Sequence, residues 1–242
     1  MLALAVIAPA AAGLQTGAET FAVGARHALP GDPGARTRTL EEMRQAHFNV
    51  VALPRPAALA PLALIDRLLA RAADSDFRPA DPGLRTVAVR SSPSPAVLAA
   101  NAWLAIAQGA SAVVFDDWST LRDNAEFLTA ASEFAAEVTR NAPLYAAIRP
   151  RVKPNEFRID GISPQLTATF LESEQALVLL AINLGPPRQV TFTFSPEIPE
   201  AIWQNMLGGG AVNFIAGPDG PTYTRAFAGN EVLVLMIRKR WR

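Results

Sequence analysis

The chain has 242 residues, half of them hydrophobic and 18% charged, so it holds enough apolar material for one large or two medium cores and is not a disordered chain. Its 22 basic and 22 acidic residues cancel, which leaves no basic excess for nucleic acid or an anionic membrane. Cysteine is absent, and with it disulfides, thiolate metal sites and a cysteine nucleophile.

Met1 to Ala12, MLALAVIAPAAA, is apolar and ends in small residues, like the later part of a secretory signal, but the basic start of such a signal is missing. The run is also shorter than the ~20 apolar residues a membrane span needs, so no transmembrane segment is expected. A signal remnant, an apolar first strand and a frayed start all fit. The first would make the protein secreted or periplasmic, the others cytoplasmic.

Glu19 to Arg26 reads as a strand, followed by a Gly- and Pro-rich loop from His27. Thr39-Leu40-Glu41-Glu42 has the spacing of a capping box, which predicts a short helix from Thr39 to about Ala46. Phe48 to Pro54 is the next strand, Pro61 opens a helix through Arg71, and Leu84 to Arg90 is a third strand after the Pro-rich turn at Arg78 to Gly83. Ser94 and Pro95 supply the cap and first residue of a helix that ends at Gly109. The short run Ala112 to Phe115 then reads as a buried strand. It delivers Asp116, Asp117 and Trp118 to its carboxyl end, where α/β folds place their ligand sites. Asp123 with Glu126 is expected to cap a last helix to about Arg140. Four strand-helix alternations predict a parallel sheet with outer helices.

Past Pro150 the pattern changes to short strand-like runs: Leu166–Leu171, Ala176–Asn183, Gln189–Phe194, Ala211–Ile215, Thr222–Phe227 and Glu231–Ile237. Gly- and Pro-rich turns separate them, as in an antiparallel sandwich. The boundary is placed at Arg149 to Asn155, giving an α/β domain over residues 1–150 and an all-β domain over 151–242. The basic end, Arg238 to Arg242, reads as a solvated terminus.

Ala102 to Ala110 with the strand ending Asp116-Asp117-Trp118, the helix ending Arg140 to Leu144, and Ala176 to Asn183 in the sandwich resemble the closing part of TIM-barrel glycoside hydrolases of β-galactosidase-like type. Thr39 to Arg44 with Phe48 to Val51 resembles one of their first units. The resemblance implies an incomplete (β/α) barrel of about four units followed by an antiparallel β-sandwich, as if the first two and last two units were kept. A whole barrel needs eight units over about 250 residues. Two chains could meet to complete it, or a partner could supply the rest.

For the chemistry, the resemblance points to carbohydrate as ligand, with Asp116 and Asp117 as the catalytic candidates and Trp118, Arg90 and His27 as substrate-binding candidates. Glycosidases need two carboxyl groups flanking the bond. Asp116 and Asp117 are adjacent, so on a strand they point to opposite faces, and the strand ending Arg90-Ser91-Ser92 offers no acid at its tip. Helix capping is the competing reading for the aspartates, and core packing for Trp118. No metal or cofactor motif is present. Three functions follow: a glycan-binding protein with lost or impaired hydrolysis, a glycosidase completed by dimerisation, or a remnant without activity.

Overall fold

The structure is a computed structural model that describes residues 21–54, 57–62, 84–151, 157–161, 163–196, 198 and 203–239. The expected features at Met1 to Ala12, Arg78 to Gly83, Arg240 to Arg242 and most of the helix opened by Pro61 lie outside them. The chain divides into two compact units, Met1–Ile106 with Ala110–Ala147, and Ala107–Gly109 with Ile148–Arg242.

Along the first 147 residues run β1 (Ala22–Arg26), α1 (Pro33–Gln45), β2 (Val50–Pro54), β3 (Ala57–Pro61), β4 (Leu84–Val87), α2 (Pro95–Ala107), β5 (Ala112–Phe115), α3 (Trp118–Arg122), α4 (Ala125–Arg140) and α5 (Ala142–Ala147). The strands form one sheet in the order β3-β2-β1-β5-β4. β1, β2, β4 and β5 are parallel, whereas β3 folds back antiparallel on β2, from Val50↔Pro61 to Pro54↔Ala57. Pro61 therefore ends a strand rather than opening a helix.

Local chemistry sets the helix ends. The Asp32 carboxylate accepts the Ala35 amide at 2.6 Å and Pro33 sits in the first turn, so α1 begins six residues before the expected capping box. Thr39 is buried inside the helix, and its hydroxyl caps nothing. At the other end His47 takes φ 61° and its amide donates to the Arg44 carbonyl, while the Phe48 amide donates to the Met43 carbonyl. These two bonds form a Schellman motif, with a histidine where glycine is usual. Ser94 caps α2 as expected, its hydroxyl accepting the Val97 amide at 3.3 Å. Asn124, not Asp123, caps α4 through the Phe127 amide; Asp123 ends the short helix α3 instead.

The central strands β1 and β5 are apolar on both sides because both sides are buried, while the edge strand β4 exposes Arg85 and Thr86. Phe115 faces the helices, where Phe48 stacks at 5.8 Å and Phe134 of α4 meets it edge-on at 6.2 Å. Trp103 of α2 extends this core onto Phe134 and Tyr145. Ala112, three residues before Phe115, points the other way and joins Ala22 and Val50, with Leu84 packed against them. Asn49 fastens β2 to β1: its Oδ1 accepts the Val23 amide and its Nδ2 donates to the Phe21 carbonyl, both at 2.8 Å.

The second unit is antiparallel throughout. β12 (Ala211–Val212), β11 (Trp203–Asn205), β14 (Glu231–Arg238), β9 (Ala176–Asn183), β8 (Leu166–Glu172) and β6 (Arg149–Pro150) form a six-stranded sheet in that order. β13 (Thr222–Phe227), β10 (Arg188–Phe194) and β7 (Phe157–Asp160) form a second, three-stranded sheet. Phe170, Leu179 and Leu235 from the first sheet and Val190, Phe192 and Phe227 from the second share one core. Asn183 is fully buried and donates to the carbonyls of Gly185, Pro186 and Ala228, which ties the β9–β10 loop to the β13–β14 turn. No helix among the described residues is long and apolar enough to cross a membrane.

Candidate functional site

β1, β4 and β5 end at one edge of the parallel sheet, and the loops that follow carry His27, Arg90, Asp116 and Asp117. The sheet thus collects four of the five residues singled out from the sequence. Their side chains are held for different reasons.

Asp117 follows β5 and is the N-cap of α3, with extended backbone at φ −151°. Its Oδ1 accepts the Thr120 amide at 3.2 Å, and its Oδ2 accepts the Thr120 hydroxyl at 2.8 Å and Arg90 Nε at 2.7 Å. The Arg90 guanidinium also lies 2.5 Å away as an ion pair. Burial acts to raise the pKa of this carboxyl, but the Thr120 hydroxyl and amide and then Arg90 outweigh it, so Asp117 lies below the usual carboxylate range. Both its oxygens are engaged by the protein. Arg90 is 75% exposed beyond that contact.

Asp116 is half-buried and turns toward β4, where its Oδ1 accepts the Val89 amide at 2.8 Å; its own amide donates to the Val87 carbonyl at 3.0 Å. The second oxygen, Oδ2, has no protein donor among the described residues. The neighbouring aspartates therefore diverge, as adjacent residues at a strand end do.

His27 continues the β1–β2 ladder, its amide donating to the Ala52 carbonyl at 3.0 Å. Burial first and Arg122 second push its imidazole below the ordinary value of 6.5, against the opposing pull of Asp117 and Glu42. At neutral pH it is therefore uncharged, free to donate from one ring nitrogen and accept at the other.

Trp118 requires a correction as a substrate-binding residue. It is 0% exposed, and its ring meets Phe48 edge-on at 5.8 Å, so it has no free face for a sugar. Its indole N–H is buried without an acceptor among the described residues. Sequence reading alone missed Thr120 as the third member of the Asp117–Arg90 contact. Its signal was the Asp-x-x-Thr spacing at the helix start. No three His, Asp or Glu side chains among the described residues converge to hold a metal ion.

In the second unit Trp203 is fully buried, with Phe214 and Tyr223 packed against the same core, so this aromatic group is cohesive packing and not an open platform.

No protein-family model matches the chain, and no curated protein matches it. The solved structures that it resembles include an α-amylase and two xylanases of glycoside hydrolase family 30. An α-amylase from Geobacillus thermoleovorans aligns at 10% identity over 74% of this chain and 44% of its own, with a TM-score of 0.43. A GH30 endoxylanase from Clostridium papyrosolvens aligns at 8% identity over 95% and 60%, with a TM-score of 0.38. A glycoside hydrolase family 30 subfamily 8 xylanase from Clostridium acetobutylicum aligns at 13% identity over 94% and 58%, with a TM-score of 0.36. The chain spans between 44% and 60% of these three proteins. At TM-scores below 0.5 such likenesses assign neither a family nor a site residue.

Proposed function

We propose that this chain is a glycoside-hydrolase-like carbohydrate-binding protein, built as a four-unit portion of a (β/α) barrel followed by a β-sandwich, with hydrolysis lost or impaired. The observation that carries the reading is the strand order. Taken in chain order, the four parallel strands lie second-first-fourth-third. In doubly wound sheets the third strand adjoins the first or the second. The observed order is instead that of the first two and last two strands of a closed eight-stranded barrel, where the last strand returns beside the first.

The carboxyl end of that sheet is where a barrel binds its substrate. Hydrolysis of a glycosidic bond needs two available carboxyl groups. Asp117 is spent on capping α3 and on Arg90, which leaves Asp116 with one oxygen to offer. A single available carboxylate on the same sheet edge as a neutral imidazole and an exposed guanidinium suits hydrogen bonding to sugar hydroxyls better than acid-base cleavage.

The test pairs calorimetric titration of the chain with neutral and acidic oligosaccharides and a turnover assay on aryl glycosides. Saccharide binding without turnover, weakened about tenfold or more by Asp116→Asn while Asp117→Asn leaves it largely unchanged, is the expected result. Turnover abolished by Asp116→Asn would replace this reading with an active glycosidase. Absence of binding to any saccharide would leave the chain a remnant.

A further inference from the structure

The carboxyl edge of the parallel sheet has two sides, and the alternation along its strands sorts the polar groups between them. Phe115 faces the helices and pairs with Ala25 of β1, whereas Ala22 and Ala112 share the opposite side with Val50 and Leu84. One residue beyond Ala25 and Phe115, Arg26 and Asp116 therefore turn to that opposite side as neighbours on adjacent strands, whose axes lie about 4.8 Å apart. Asp117, one residue further, returns to the helix side, where it caps α3 and holds Arg90.

Arg26 pairs with Ala52 of β2, and Ala88 follows Val87, the β4 partner of Phe115. Across the sheet at this level the row is Ala52, Arg26, Asp116 and Ala88, two charged groups between two methyls. Arg26 is exposed, and no hydrogen bond or ion pair joins its side chain to another described residue. Asp116 gives Oδ1 to the Val89 amide and keeps Oδ2. The guanidinium and the carboxylate thus stand side by side without bonding each other. Thr86, exposed on β4, adds a hydroxyl on the same side of the sheet.

We infer that Arg26 is a ligand-binding residue that forms, with Asp116, a donor-acceptor pair for two neighbouring hydroxyls of a neutral saccharide; the inference rests on the carbohydrate reading above. A guanidinium only donates and a carboxylate only accepts. One sugar hydroxyl donates to Asp116 Oδ2 while the oxygen of the next accepts from Arg26. Both bonds are charge-assisted, and the pair has no net charge for the ligand to balance. The carboxylate of a uronic acid would take Arg26 but sit against Asp116, a like charge. The alanines on either side leave space above the sheet for the rest of the ring.

Calorimetric titration of the full chain with maltohexaose and xylohexaose as neutral probes and trigalacturonic acid as the acidic one tests the assignment. Arg26→Met removes the charge and keeps an apolar stem on an exposed position, so the unfolding midpoint should not move. Affinity for the neutral probe that binds should fall about tenfold or more. Arg85→Met, on the helix side of β4, should change that affinity less than about twofold. Neutral binding retained by Arg26→Met, or trigalacturonic acid bound by the wild type more tightly than either neutral probe, would overturn the assignment and leave the carbohydrate reading standing. Failure of the wild type to bind any of the three would overturn both.

Discussion

An aspartate at a strand tip can face a ligand or begin the next helix, and Asp117 does the second. Its cap on α3 contributes about 1 kcal/mol, while Arg90, three-quarters exposed, adds little because water screens the pair. Asp117→Ala is therefore expected to lower unfolding stability by about 1 kcal/mol at neutral pH. The sign with pH is fixed by the depressed pKa: the contribution of the charge is present above 3.8 and is lost as pH falls through the lower folded value. Chemical denaturation of wild type and variant at descending pH should show the two curves converging in acid. A difference that stays constant would mean that the charge of Asp117 plays no part in the cap. Asp116 and Asp117 were both legible as a pair at a strand end, yet their division of labour was not. It depends on Arg90 and Val89, 27 residues earlier in the chain, which only the β4–β5 pairing brings alongside. Trp118 was ambiguous for the same reason, since Phe48 that covers it belongs to a distant loop.

At the scale of elements, β1 and β2 approach so closely that a side chain is excluded between them. A Cβ built on Gly24 would sit 1.9 Å from the Val50 carbonyl oxygen and 2.8 Å from its carbon, which are backbone atoms with no freedom to rotate away. Gly24→Ala must therefore displace a strand, and a cost of about 3 kcal/mol or more is expected, against less than about 0.5 kcal/mol for Gly31→Ala in the following loop, where nothing lies within 4 Å. Thermal denaturation of the two variants checks this, and equal melting temperatures would show that the strands can part freely. β1, β2 and β5 were readable because each is an apolar run that must be buried wherever it lies, whereas β4, with Arg85 and Thr86 exposed, was readable from the β-branched residues that follow its Pro-rich turn. The short strands β6 and β11 were not readable: two or three residues have no periodicity of their own, and these strands exist because β8 and β14 offer them hydrogen bonds. In β7 the alternation of Phe157 and Ile159 was a usable signal, since both pack on the shared core. Helix starts were misplaced at Thr39 and Asp123 because Asp32 and Asn124 also carry side chains that can cap, and it is these that accept the Ala35 and Phe127 amides.

For the whole molecule, the proposed four-unit portion of a barrel would be completed by two copies only if their sheet edges could pair. Closure of two four-stranded halves requires β2 of each copy to pair with β4 of the other, so that the order of eight strands runs continuously. The outer side of β2 is already occupied along its length by β3, from Val50 to Pro54, and β3 runs antiparallel. An antiparallel strand inserted at the joint breaks the parallel register on which barrel closure depends. Dimerisation of that kind would first have to strip five paired residues from β2, with no gain until the second joint formed. The expected outcome of light scattering over a dilution series is therefore a constant mass near 25.8 kDa. A stable mass near twice that value would mean that β3 is displaced in solution, and would restore the shared-site glycosidase as the better account. A monomer, by contrast, would have to build the proposed carbohydrate site from the carboxyl ends of its own strands, where Asp116 Oδ2 has no protein donor among the described residues.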